Sequence, residues 1–167
     1  MAAAALLASL LIVLSCAYFV WPSSDTPRHA NAVLSLDGSN EGARVRLALS
    51  LVRAGYADVL LFSQGAYGSE PCPRLRDVDV VCFVPKPART VGEIDFAARY
   101  LARRRWHSLI VVPGHAQATR ARLLLARCFK GRALVVPAPA PPVLDLAYQV
   151  VYEWGALVKA IVVDPGC

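Results

Sequence analysis

The chain reads as an α/β protein: a three-layer, Rossmann-like domain on a mainly parallel sheet of about five strands, preceded by one transmembrane helix. Three observations predict this. Short β-branched apolar runs alternate with segments of helical period from Ala32 onward, in the order β-α-β-β-α-β-α-β-α. Ser108 to Phe129 holds the repeating unit of such sheets in one piece, an apolar run Leu109–Val112, a polar turn and an apolar helical face. Ala2 to Trp21 contains no charge.

As a helix, Ala2 to Trp21 would extend about 30 Å, one bilayer core. A cleavable signal peptide has a basic start and a shorter apolar run, and no Lys or Arg precedes this one. Residues 1–21 are therefore expected to be an uncleaved, single-pass anchor. Two processing sites compete with that reading. Val13-Leu14-Ser15-Cys16 loosely resembles a lipoprotein cleavage site, but Leu14 fits it poorly. Ala30-Asn31-Ala32 has the small-x-small form, but a cut there would remove the start of the first strand. Arg28, just after the run, would by charge counting place that side inside. Residues 22–30 form a polar linker, and the domain spans 31–167.

In the domain, Ala32–Leu36 is a strand. Asp37 to Gly42 is a glycine-containing turn that fits neither GxGxxG nor a P-loop. Val45, Ala48, Leu49 and Val52 then follow helical spacing up to Gly55. Val59–Phe62 is the second strand, with Ser63-Gln64-Gly65 at its carboxyl end, and Ala66 to Asp79 is a loop holding Pro71 and Pro73. Val80–Val84 is the third strand. Thr90 and Glu93 directly precede Ile94, Ala97, Ala98 and Leu101 at helical spacing, which reads as a capping box; a ligand role for the same two residues is compatible with it. After strand Leu109–Val112 and the turn Pro113–Ala118, Ala121, Leu124, Leu125 and Cys128 share a helical face. Ala133–Val136 is the fifth strand, and the stiff connector PAPAPP (residues 137–142) leads to a long apolar helix, Val143–Val163. Asp145, Gln149 and Glu153 make a polar stripe on it, with Asp145 and Gln149 expected to be solvated. With Lys159, the stripe argues against a second membrane span.

Ligands of open α/β sheets lie outside the carboxyl ends of the strands, so His115, Gln117, Thr119 and Arg120 are the first candidates for a site. With Thr119 as N-cap, Arg120 lies in the first helical turn. A cation there faces the positive end of the helix dipole, at a cost of roughly 0.3–1 kcal/mol. Beside a bound anion it becomes an asset, because free N–H groups and guanidinium converge. Arg44 repeats the pattern one helix earlier.

The balance is basic, 18 Lys+Arg against 12 Asp+Glu. No RRM, KH or helix-turn-helix signature accompanies it, so anionic headgroups or a phosphorylated ligand account for the charge better than nucleic acid does. Of the five cysteines, Cys16 falls in the anchor and Cys128 on an apolar helix face, as a core residue. Cys72 and Cys82 bracket a loop and could pair if the domain is outside, although Cys82 also fits as a buried strand residue. No Cys/His spacing suits a metal, and no Ser-His-Asp pattern or nucleophile elbow appears.

These motifs together resemble the ElyC–SanA–YdcF family of bacterial envelope proteins, over about Ala32 to Ala160. The carriers are Asp37-Gly38 followed by Arg44; Leu51-x-x-x-Gly55-x-Ala57, a strand, then Ser63-x-Gly65; Thr90-x-x-Glu93; the segment VVPGHAQATRARLLLARCF from Val111 to Phe129; and the late Glu153. The resemblance implies a Rossmann-like fold, an N-terminal helix in the cell membrane with the domain on the extracytoplasmic side, a role in envelope integrity, and a nucleotide or lipid-carrier type of phosphate-bearing ligand. It implies no established reaction and no named cofactor. Carried over residue by residue, the ligand set is Asp37, Gly38, Arg44, Ser63, Gln64, Gly65, Thr90, Glu93, His115, Thr119, Arg120 and Glu153. Glu93 would orient the ligand or act as base. The chain departs from the family at Gln117, which stands where the family has His; Gln cannot act as an acid or base near neutral pH, unless His115 takes over. Asp37-Gly38 also replaces a Gly-Gly pair, and Ser63-Gln64-Gly65 a more glycine-rich turn. Binding without turnover, a non-catalytic scaffold with a vestigial pocket, and a membrane-tethered nucleotide sensor follow as alternatives.

Overall fold

The computed structural model describes residues 2–38, 41–65, 71–163 and 166–167, with the side chain of Glu41 not described. Residues 39–40 at the tip of the first loop and residues 66–70 at the start of the loop after the second strand thus lie outside the described residues. Five parallel strands form one sheet: β1 (Ala32–Ser35), β2 (Val59–Ser63), β3 (Asp79–Phe83), β4 (Ser108–Val112) and β5 (Arg132–Val135), in the order β3-β2-β1-β4-β5. A central parallel strand is buried on both faces, and β1, β2 and β4 are continuous apolar runs for that reason. The helices are α1 (Ala2–Ser15, extended by a π-helical turn, Cys16–Val20), α2 (Glu41–Arg53), α3 (Thr90–Arg103), α4 (Ala118–Cys128) and α5 (Val143–Val158, extended by Lys159–Val163).

Alternate strand residues feed two cores. Val33, Leu60 and Ile110 pack with Ala48, Leu51 and Val52 of α2. Leu34, Leu61 and Val111 pack with Ile94 and Leu101 of α3 and with Leu124 and Leu125 of α4. The result is a three-layer Rossmann-like fold with an apolar helix at its N-terminus. Strand order reverses between β1 and β4, so the crevice at their carboxyl ends is the topological switch point of the sheet.

The polar segment after α1 is held along the domain. The Asp25 amide donates to the Val135 carbonyl, and the Asp25 carboxylate accepts from the Val135 amide and from Arg122. Burial pushes the Asp25 carboxyl up, but the Arg122 hydrogen bond, the Val135 amide and the Arg122 charge outweigh it and hold it below the usual range. Domain contacts also begin before residue 22. Phe19 is fully buried, edge-on to Trp154 at 5.2 Å, and the Trp154 indole donates to Ser15 Oγ at 2.8 Å.

Two disulfides close the domain, Cys72–Cys82 and Cys128–Cys167, while Cys16 is a free thiol. The expectation that Cys128 is simply a core residue is corrected: it lies at the end of α4, where the chain's last residue reaches it.

The solvated face expected at Asp145 and Gln149 of the C-terminal helix is also corrected, at Gln149. Gln149 and Glu153 are buried against the domain, while Leu144, Tyr148, Val151 and Val158 are exposed. Only Asp145 of the stripe is exposed. The period of a helix distinguishes two faces without saying which one meets protein, and here a polar pocket takes the polar face.

Candidate functional site

A cavity of about 410 Å³ lies at the switch point. Asp37 and Gly38 after β1, Thr90 and Glu93 of α3, Gln117 and Arg120 at the start of α4, and Gln149 and Glu153 of α5 line it. Its size is that of a small-ligand pocket. Arg89, Tyr148, Tyr152 and Lys159 also line it and are exposed, so they form the rim, and apolar residues such as Val91, Leu124 and Ala160 make up the rest.

Thr90 is the hub. Its hydroxyl oxygen accepts from Gln117 Nε2 at 2.9 Å and from Arg120 Nη1 at 2.7 Å. The expected capping box is not formed. Arg89 is the N-cap of α3 without a side-chain bond, Thr90 is already helical, and Glu93 Oε1 accepts from the amide of Asp37 instead of closing on its own helix. The reason is tertiary. Gly92 lets the first turn of α3 lie against the backbone of Pro87, where a Cβ would come within 2.1 Å of the Pro87 carbonyl oxygen. That docking turns Thr90 and Glu93 toward the β1 and β4 loops.

Gln117 is the N-cap residue of α4, in place of the expected Thr119. Its amide ties three loops together: Nε2 donates to Thr90 and, at 3.3 Å, to the Asp37 carbonyl, while Oε1 accepts from the Gly114 amide at 3.0 Å. Gln117 is thus a structural tie in the cavity wall rather than a group with a proton to move.

Arg120 meets Glu153 side-on, at 2.8 and 2.7 Å. Burial lowers the guanidinium's hold on its proton, and the Glu153 hydrogen bonds and charge more than restore it. A guanidinium carries five N–H groups. Glu153 and Thr90 take three, which leaves one on Nη1 and one on Nη2 at the cavity.

Glu93 is fully desolvated, and burial drives its carboxyl up to about 7. The Ser63 hydroxyl, the Asp37 amide and the Arg44 charge oppose the rise, and the Asp37 charge adds to it. Arg44 lies behind the first loop and not in the cavity wall. It is wholly buried, donates from Nη1 to the Gly38 carbonyl at 2.8 Å, and brings Nη2 to 4.0 Å from Asp37 Oδ1. Gly38 has φ 136°, a conformation that favours glycine.

The structure therefore gathers Asp37, Gly38, Thr90, Glu93, Gln117, Arg120 and Glu153 around one cavity, with Arg44 supporting it. Ser63 and Gly65 lie just outside: Ser63 bears on Glu93, and Gly65 backs the Asp37 carboxyl, which a Cβ would approach to 2.9 Å. Gln64 continues the β2–β3 pairing through its amide to the Phe83 carbonyl. His115 and Thr119 face the other way, toward the N-terminal helix. The His115 ring lies 3.1 Å from the Ala138 carbonyl oxygen and 3.0 Å from that of Val20, and Thr119 donates to the Tyr18 carbonyl at 2.6 Å. Sequence reasoning missed Arg89, Tyr148, Gln149, Tyr152 and Lys159. The available signal was Gln149 and Glu153, four apart on an otherwise apolar helix. Among the described residues, no group of three His, Cys, Asp or Glu side chains could hold a metal ion.

Compared with known family models, curated proteins and solved structures, the chain matches none of them.

Proposed function

We propose that this protein is a membrane-anchored binder of phosphate-bearing small molecules, a nucleotide or a lipid carrier. The switch-point cavity is its binding site, and the protein serves the integrity of a bacterial envelope in the manner of the ElyC–SanA–YdcF family it resembles. One observation carries the reading: at the floor of the cavity Arg120 keeps two N–H groups unused by Glu153 and Thr90, and the Thr90 hydroxyl, already accepting twice, has its own proton left to give. Converging donors on a buried cation favour an acceptor-rich, anionic group. α1 supplies the anchor, being apolar enough to cross a membrane. Two disulfides favour an oxidising, extracytoplasmic placement of the domain.

Binding without turnover fits the site better than catalysis does. Gln117 stands in the wall where proton transfer would call for an ionisable group, and all its polar atoms are engaged. Glu93, which titrates near neutrality, has one carboxylate oxygen held by the Asp37 amide. The scaffold alternative is favoured by one feature, the closure of Arg120 by Glu153.

The test is thermal unfolding of the full chain in detergent micelles with inorganic phosphate, nucleotides and polyprenyl phosphates. A ligand at one hundred times its Kd stabilises by about 2.7 kcal/mol. Arg120→Lys, which keeps the charge and loses the planar fork, should reduce the shift. No shift with any phosphate compound would favour the scaffold.

A further inference from the structure

We infer that the outer face of α5 is a second membrane contact, lying in the lipid surface beside the point where α1 enters it. Leu144, Tyr148, Val151, Val158 and Val162 recur at helical spacing along α5 and its extension, and each is more than half exposed. The stripe runs for about 27 Å at 1.5 Å per residue. The opposite face carries Gln149 and Glu153, so the helix is amphipathic in the inverted sense, polar toward the protein and apolar away from it. A contiguous exposed apolar stripe rimmed by polar residues marks a protein or membrane interaction site.

The occupant follows from where α1 ends. Ala2 to Val13 is exposed along its whole length, so α1 does not cover α5. Yet the last turns of α1 are fixed to α5 by the Trp154–Ser15 hydrogen bond and by Phe19 against Trp154. If α1 crosses a bilayer, Trp154, midway along α5, lies within about one helix diameter, roughly 10–12 Å, of the end of α1. The borders of the stripe suit that position. Tyr148, Tyr152 and the exposed Trp21 are interfacial residues, and Lys159 can reach headgroups over its apolar stem. Gln149 and Glu153 are engaged by the domain, which keeps α5 on the surface rather than across the bilayer.

The inference rests on α1 as a membrane anchor, and the test separates the two. Single cysteines at Leu144, Val151 and Val162, and one at Leu10 of α1, would be introduced into the full chain carrying Cys16→Ser. They would be spin-labelled and placed in nanodiscs of phosphatidylethanolamine and phosphatidylglycerol. All four labels should collide more often with oxygen than with a water-soluble nickel chelate, with the α5 labels shallow and at similar depth. Water-type accessibility at α5 with lipid-type accessibility at Leu10 would overturn the second contact alone. Water-type accessibility at all four would overturn the anchor as well. Depths that pass through the bilayer centre from Leu144 to Val162 would make α5 a span and overturn the inference. So would α5 labels reached by neither reagent and broadened by a nearby second label, which would put a second copy of the chain there.

Discussion

The guanidinium of Arg120 and the carboxylate of Glu153 are joined by two parallel hydrogen bonds, Nε to Oε2 at 2.8 Å and Nη2 to Oε1 at 2.7 Å, and this pair links α4 to the inner face of α5. Removing one partner leaves the other charge buried, which costs about 3–5 kcal/mol, whereas replacing both by apolar residues of similar volume is often neutral. Denaturant unfolding should therefore show Arg120→Ala and Glu153→Ala each strongly destabilised, and Arg120→Met with Glu153→Leu close to wild type. A double variant as unstable as the singles would mean that Thr90 and Gln117 depend on the charge itself.

Glu93 makes stability fall as pH rises. An acid whose folded value lies above its ordinary one holds its proton more tightly in the folded chain. Its contribution is whole below about 4.5 and is lost by about 7. The displacement corresponds to roughly 3 kcal/mol. Glu93→Gln keeps an acceptor for the Asp37 amide and carries no charge. It should flatten the stability profile between those values and leave the variant more stable than wild type at pH 8. Asp25 acts in the opposite sense and lower down, because its stabilisation is present above the ordinary carboxylate range and is lost as pH falls below it. Asp25→Asn should remove only that acid limb.

Gly38 combines φ 136° with a carbonyl that orients Arg44. Gly38→Ala should cost about 1–3 kcal/mol in backbone strain. It should also weaken phosphate-compound binding in calorimetry, because the strained loop forms the cavity edge at Asp37. A fully stable Gly38→Ala chain would show that the loop relaxes without loss.

The cysteine pairing is directly countable. Denatured without reductant, the chain should expose one thiol to maleimide, on Cys16, and five after reduction. The Cys128–Cys167 bridge spans 39 residues against 10 for Cys72–Cys82, so losing the longer loop should cost about 1 kcal/mol more. Equal losses would point to structure already present in the unfolded chain.

Much of the fold is legible because buried parallel strands leave continuous apolar runs: Val59–Phe62 and Leu109–Val112 fall within one residue of β2 and β4. The site was less so, and for identifiable reasons. Thr90 and Glu93 have the spacing of a capping box, and only the docking of α3 on the Pro87 backbone turns them into the cavity. His115 and Thr119 belong to the same loop and helix start as Gln117 and Arg120, but the helical turn separates them by face, and one pair meets the N-terminal helix. Gln149 and Glu153 were legible as a stripe, and its inward direction depends on Arg120 waiting beneath it. No spacing rule connects Cys128 to the final residue.

The grip of the domain on Ser15 to Val20 has a mechanical consequence under the proposed anchoring. Eight flexible residues between bilayer and domain would allow the domain to wander by on the order of 15 Å. Here Trp154, Thr119 and His115 hold Ser15, Tyr18 and Val20 directly, so there is no slack at the joint. A tilt or rotation of α1 in the bilayer would pass as torque to α4 and α5, the two helices that carry Arg120 and Glu153, so that membrane thickness and tension would bear on how closely that ion pair shuts the cavity.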